Sequence, residues 1–181
     1  MKTFILAVTT LDGFIAYDDE HASTEWTSAE DKRYFVRTTK AAKIMLMGST
    51  TLKTIGRVLP GRQTVVLSSR PKEDLIAAYG LEGNLDDLRV FNASPRKVLT
   101  LLEQEGHEQV AICGGTSLYT QCMQDNLVDE VQVIIEPVVF GHGKRLFSDT
   151  ALSVRLQLIA TEKLNEKGTM LLRYGVEKMS H

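Results

Sequence analysis

The sequence predicts a single α/β domain over residues 1–181, with about eight strands, mostly parallel, an antiparallel C-terminal finish and helices on both faces. Three observations predict it. Strand and helix signals alternate along the chain, and such crossovers join parallel neighbours. Glycines and small hydroxyl residues follow the apolar runs, as where strand ends meet helix N-termini. At the end, the alternating runs Arg155–Glu162 and Thr169–Val176 flank the polar turn Asn165–Gly168 and suit an antiparallel pair.

Thr3–Val8 is the first strand. Ser28, with Asp31 three residues on, resembles a capping box and opens a helix to about Ala42. Ile44–Met47 reads as a buried strand, Gly48 as a turn, Ser49–Ile55 as a short helix, residues 56–62 as a loop and Thr64–Leu67 as a second strand. Arg89–Phe91 gives a short strand. Ser94 then supplies an N-cap with Pro95 at the first helical position, and Val98, Leu101 and Leu102 form the apolar face of a helix ending near Gly106. Gln109–Cys113 is a further buried strand. Gly114–Gly115 precede a helix from Thr116 to about Asp125, and Glu130–Val139 reads as a long apolar strand. No repeat, low-complexity tract or linker divides the chain.

A 43% hydrophobic content is ordinary for a globular protein, and a net charge of −2 with interspersed signs gives no mark of nucleic-acid or membrane-surface binding. The apolar start Phe4–Val8 is too short for a signal-peptide core, and no segment approaches the ~20 apolar residues of a membrane span. A cytoplasmic location is the default. Cys113 and Cys122 lack a CxxC spacing and are expected reduced and packed. His21, His107, His142 and His181 are scattered without HxE or HxxxH spacing, so no metal is expected and zinc hydrolase or deaminase chemistry is disfavoured.

The segment Ile44–Ser69 carries most of the functional signal. Ligands of open α/β sheets sit beyond the carboxyl ends of strands, where helix N-termini offer N–H groups to phosphates, so a phosphorylated cofactor is expected. Gly114–Gly115 would let backbone approach the same ligand closely; taken alone, the pair reads more often as a plain strand-to-helix turn. Asp31 and Phe35 share one helical face, and a carboxylate against an aromatic wall is expected to hold its proton to higher pH and support protonation of a substrate nitrogen. On spacing alone Glu30 and Asp31 are equal, since acids in a first helical turn also simply satisfy the helix dipole. Trp26 reads as core or as a pocket mouth, Asp12–Gly13 as a turn, and Arg70 as a solvated charge or a phosphate ligand. The basic loop Gly141–Arg145 reads as a surface loop slightly ahead of a phosphate site.

IMLMGSTTL, IGRVLPGRQTVVLSS and ICGGTSLY resemble motifs of dihydrofolate reductase; TTLDGFIA, WTSAED and EPVVFGHGKRLF resemble the reductase domain of riboflavin-biosynthesis deaminase/reductases. On these motifs the chain is identified as a member of the dihydrofolate reductase-like superfamily, most similar to RibD C-terminal reductase domains over nearly its whole length. The resemblance implies Asp31 as the catalytic acid, and Trp26, Phe35 and Arg62 in the substrate pocket. It implies backbone contacts to nicotinamide from Val8 and Ile15, at a mobile loop spanning Leu11–Ala16. Gly114, Gly115, Thr116, Ser117, Leu118 and Tyr119 would meet the cofactor's phosphates and nicotinamide side, often across a cis Gly–Gly bond. Gly48, Ser49, Thr50, Thr51, Leu67, Ser68, Ser69 and Arg70 would line the adenosine side. Hydroxyls and a cation there suit the 2′-phosphate of NADPH, with NADH as the alternative donor.

The implied reaction is hydride transfer to a C=N carbon of a pyrimidine- or pterin-type substrate. For a ribosylamino-pyrimidine phosphate, the riboflavin-type reading, the chain lacks the DxP…LTxR stretch and has KTIGRVLPGR instead. For 7,8-dihydrofolate it carries Ile134 where dihydrofolate reductases have a threonine bonded to the pocket acid, and Ala16 in place of a loop glycine. A nucleotide-binding module without turnover is the reading from another class. The riboflavin-type relatives also imply a homodimer.

Overall fold

The computed structural model describes residues 1–178, and His181 lies outside them. Its centre is β1 (Lys2–Thr10), whose side chains alternate between two cores: Phe4 and Leu6 on one face, Ile5 and Ala7 on the other. After it come β2 (Phe14–Ala16), α1 (Ala29–Ala42), β3 (Ile44–Gly48), α2 (Ser49–Ile55), β4 (Gln63–Leu67), α3 (Lys72–Tyr79) and β5 (Leu88–Phe91). The rest is α4 (Pro95–Gln104), β6 (Gln109–Ile112), α5 (Thr116–Gln124), β7 (Glu130–Glu136), β8 (Lys144–Arg145), β9 (Leu156–Lys163) and β10 (Met170–Val176). Eight strands form one sheet in the order β5-β4-β3-β6-β1-β7-β10-β9, while β2 and β8 pair as a separate ribbon. Every neighbouring pair in the large sheet is parallel except those of β10, which runs against both β7 and β9.

Residues from α1, α2 and α3 close the face that holds Phe4, Leu6, Met45, Met47 and Val66. Residues from α4 and α5 close the other, over Ile5, Leu46, Val65, Val110 and Ile112. Strands covered on both faces read as continuous apolar runs, which is why β3, β4 and β6 fall where the sequence puts them. Among the described residues no helix is long and apolar enough to cross a membrane. Both cysteines are free and buried, and burial pushes each thiol up to about 12.

Three expectations are corrected, and two features are new. The strand expected to reach Val139 ends at Glu136, because Pro137 cannot donate to the ladder, and it is not uniformly apolar: Glu130, Gln132 and Glu136 are buried in it. The inward face of α4 is Val98, Leu99 and Leu102, with Leu101 only half-buried. The capping box at Ser28 is half formed: the Ser28 hydroxyl accepts from the Asp31 amide at 3.2 Å, but the Ser28 amide donates to Glu136 Oε1 at 2.8 Å. Finally, α3 and the β2–β8 ribbon had no counterpart in the sequence reading.

Candidate active site

The carboxyl ends of β3 and β6 meet at a glycine junction. The Gly48 amide donates to the Gly114 carbonyl at 2.8 Å, and the Gly114–Gly115 peptide bond is cis. Gly114 has φ +123°, and a Cβ there would stand 3.1 Å from Thr51 Oγ1 and 3.4 Å from the Tyr119 hydroxyl. Only glycine keeps this junction open and lets a ligand lie on bare backbone. Thr51, from the first turn of α2, leans over it, while Thr116 and the exposed Ser117 open α5 beside it. Leu118 and Tyr119 lie deeper. Both are buried in the core under α5, and the Tyr119 hydroxyl donates to the Leu6 carbonyl at 2.9 Å.

Beyond the ends of β4 and β5 a cavity of about 320 Å³ is lined by Ser68, Ser69, Arg70, Pro71, Lys72, Val90 and Asn92. The Ser68 hydroxyl accepts from the Arg70 amide at 2.9 Å, and the Arg70 guanidinium stands over the Tyr79 ring. Two cations, two hydroxyls and a carboxamide around an open cavity form a donor set that fits a phosphate on a nucleotide. Lys72 and Asn92 were not singled out from sequence; Lys72 follows Pro71 and Asn92 follows β5, and neither position carries a motif. Ser49 and Thr50 sit at the start of α2, and Leu67 packs into the core under α4 and α5.

Asp31 is 8% exposed at the third position of α1. Burial pushes its carboxyl up to about 6; the Thr27 hydroxyl and Lys32 pull downward, and the Glu136 carboxylate adds to the rise. Burial raises the Tyr119 phenol, and Cys113 and Asp31 add to that rise. Among the described residues, Trp26 Nε1, Arg62 Nε and Thr64 Oγ1 are buried without a partner. Arg62 is 5% exposed, and its Nη1 donates to the Pro60 carbonyl at 3.2 Å. Burial lowers its pKa, opposed by the Cys113 thiol. Phe35 packs against the same core, as does Val8 from β1.

The segment Leu11–Ala16 is held by a set of side-chain and ribbon contacts. The Asp12 carboxylate accepts from the Thr10 hydroxyl at 2.5 Å, from the Gly141 amide at 2.7 Å and from the Phe140 amide at 3.2 Å. Phe14 and Ala16 then pair with Arg145 and Lys144, leaving Ile15 half-buried between them. Gly143, at φ +137°, passes so close that a Cβ would lie 2.4 Å from the Ala16 carbonyl oxygen. The Tyr17 ring stacks on Phe140 with centroids 3.9 Å apart, and Trp26 meets Phe140 edge-on at 5.1 Å. Ion pairs of Asp19 with Lys144 and of Glu20 with Lys53 complete the strap. A second cavity, of about 330 Å³, opens between Lys144, Arg145 and the start of α5. The loop Gly141–Arg145 therefore belongs to the cleft's rim.

Residues 2–170 match the RibD C-terminal domain. The chain belongs to that family. The uncharacterized protein YwjB of Bacillus subtilis (strain 168) is 24% identical over 169 residues, covering 91% of this chain and 93% of that protein. The crystal structure of a pyrimidine reductase-like protein from Corynebacterium diphtheriae matches with a TM-score of 0.76 at 17% identity, over 98% of this chain and 92% of that one. Dihydrofolate reductase from Enterococcus faecalis, complexed with NADP(H), matches with a TM-score of 0.68 at 19% identity, over 97% and 96%. These likenesses establish a dihydrofolate reductase-like fold, and the RibD C-terminal domain match puts the chain in a riboflavin-type reductase family.

Glu136 and Phe140 lie in the EPVVFGHGKRLF motif of this RibD C-terminal domain but were not singled out within it, and both stand at the site. Glu136 bonds the start of α1 beside Asp31, and Phe140 backs Trp26. Beyond that motif, the sequence marks Glu136 only as a charge at the end of an apolar strand run.

Proposed function

We propose that this chain is an NADPH-dependent oxidoreductase that reduces a C=N bond in a pyrimidine-type substrate of the riboflavin-biosynthesis kind, working in the cytoplasm as a homodimer. The observation that carries the reading is Asp31: a carboxyl 8% exposed in the first turn of α1 and held up to about 6 by burial. A group titrating there donates a proton near neutral pH, which is what a substrate nitrogen needs as its neighbouring carbon accepts hydride. When bound, the nicotinamide supplies that hydride. Bare backbone at Gly48, Gly114 and Gly115 would support the cofactor, and the Ser68–Lys72 cavity would hold its 2′-phosphate. Trp26 and Phe35 would wall the substrate half.

Arg62 favours a second reading, reduction of 7,8-dihydrofolate. A buried guanidinium with an unpaired Nε is suited to an incoming carboxylate, although a substrate phosphate would satisfy it equally well. Stoichiometric NADPH oxidation decides among the readings. Turnover of the ribosylamino-pyrimidine phosphate, with none of dihydrofolate, is the expected result. The reverse pattern assigns the folate reaction. NADPH binding with no acceptor reduced leaves a nucleotide-binding module and sinks both.

A further inference from the structure

In a full capping box the residue at the third helical position reaches back to the N-cap amide. Asp31 occupies that position relative to Ser28, yet the Ser28 amide is taken by Glu136 Oε1 at 2.8 Å. The other oxygen, Oε2, accepts from the Thr169 hydroxyl at 2.7 Å, and that hydroxyl also accepts from Asn165 Nδ2 at 2.9 Å. Asn165 Nδ2 reaches Glu30 at 3.2 Å as well. The start of α1 is thus clamped between the end of β7 and the β9–β10 turn. Glu136 is 4% exposed, and among the described residues no cation pairs with it. We propose that Glu136 is the positioning residue of this site: by taking the Ser28 amide it releases Asp31 from capping, and its negative charge adds to the field in which Asp31 exchanges a proton. The proposal rests on the reductase reading for its purpose, though not for its test.

Other groups around Asp31 leave that role to Glu136. Lys32, from α1 itself, pulls the opposite way, and the Thr27 hydroxyl does too. Tyr119, from α5, spends its hydroxyl on Leu6, and Glu30 is turned to Arg33 and Asn165. Glu136 is the one carboxylate that adds to the rise at Asp31.

The test follows the Asp31 side-chain carboxyl by carbon NMR through a pH titration of the intact chain, with no substrate present. In Glu136→Gln, which keeps an acceptor for Ser28 but loses the charge, the Asp31 midpoint is expected to fall by about half a pH unit. In Glu136→Ala the Ser28 amide is set free, Asp31 turns back to cap it, and the midpoint is expected to fall by about one unit or more. The alkaline limb of turnover should move with it, while the KM for NADPH stays put. An Asp31 midpoint unchanged in folded Gln and Ala variants overturns the proposal. If the variants do not fold, the wild-type chain suffices: the Glu136 carboxyl signal must inflect where Asp31 titrates, and a flat signal overturns it. A midpoint that moves in a chain reducing no acceptor supports the clamp and defeats the reductase reading; turnover with an unmoved midpoint does the opposite.

Discussion

A carboxyl that titrates at 3.8 in an ordinary setting and at about 6 in the fold binds its proton more tightly when folded. Asp31 therefore makes the chain less stable as pH rises through that interval, and above it the cost is fully present, about 2–3 kcal/mol. Asp31→Asn removes the cost. We expect the variant to be more stable than wild type at pH 8 by that amount and equal to it near pH 4, in urea denaturation at both pH values; an equal gain at both would show that burial of charge is not the cause. The same substitution removes the proton donor. Turnover should fall by about 10²-fold or more with NADPH affinity kept, and wild-type turnover should decline above about pH 6, where Asp31 loses its proton. Arg70 argues for the cofactor's identity in a similar way. It is exposed, its charge is spent only on the Tyr79 face and on the Asp74 carbonyl at 3.3 Å, and it borders the Ser68–Lys72 cavity. In Arg70→Ala the KM for NADPH should rise about ten-fold, the value of one charge-assisted contact, while that for NADH is unmoved. Equal effects on the two cofactors would place the 2′-phosphate elsewhere.

Strand β7 shows what elements add to residues. Glu130, 2% exposed, receives Lys2 Nζ at 2.6 Å, Arg173 Nε at 2.8 Å and Gln132 Nε2 at 2.9 Å, and Gln132 accepts from the Tyr34 hydroxyl at 2.8 Å. Burial alone would raise the Glu130 carboxyl; the two cations override it and hold it below its usual value. Such a group stabilises the fold above its unfolded pKa, and that stability is lost as pH falls through the depressed value. Glu130→Ala strands Arg173 and should cost about 3 kcal/mol at pH 7, with the deficit against wild type shrinking below pH 4, as read by urea denaturation. A deficit independent of pH would reduce the network to packing. These pairings also mark the limit of what the sequence could reveal. β3, β4 and β6 were legible because burial on both faces leaves only apolar residues. β7 was misjudged in its composition because its acids are satisfied by partners far along the chain, 128 residues away for Lys2. The β2–β8 ribbon has five residues, and its Asp12 anchor bonds to Gly141 across 129 residues. Helix α3 buries only Leu75 and so shows almost no periodicity. At the site, Asp31, Gly48 and Gly114 were legible through motifs shared with a known family, since spacing alone leaves Asp31 equal with Glu30 and the glycine pair a plain turn. The role of Glu136 was not, since its partner Ser28 is 108 residues distant.

At the scale of the whole molecule, the two halves of the sheet end differently. The β3–β4–β6 half is closed by helices on both faces and carries the glycine junction. At the other end β9 pairs only with β10, and all eight of its residues are exposed. Leu156, Leu158 and Ile159 are 41%, 54% and 53% exposed. By register Leu158 lies opposite Tyr174 and Leu156 opposite Val176, and across β10 Leu172 faces the half-buried Val133, so apolar side chains run across three strands on one face. An edge strand with such a face is a site for pairing or aggregation unless something covers it. A second copy of the chain would do so symmetrically, placing the cover far from the cofactor half. The proposed homodimer therefore makes a separable prediction. Wild-type chain should sediment as a dimer at micromolar concentration, and a Leu156→Glu, Leu158→Glu double variant as a monomer, because charges on this face cannot be buried against each other without a large cost. NADPH affinity should be the same in both, since neither residue approaches the glycine junction. A wild-type monomer, or a double variant that stays dimeric, would mean that this face is not where two copies meet.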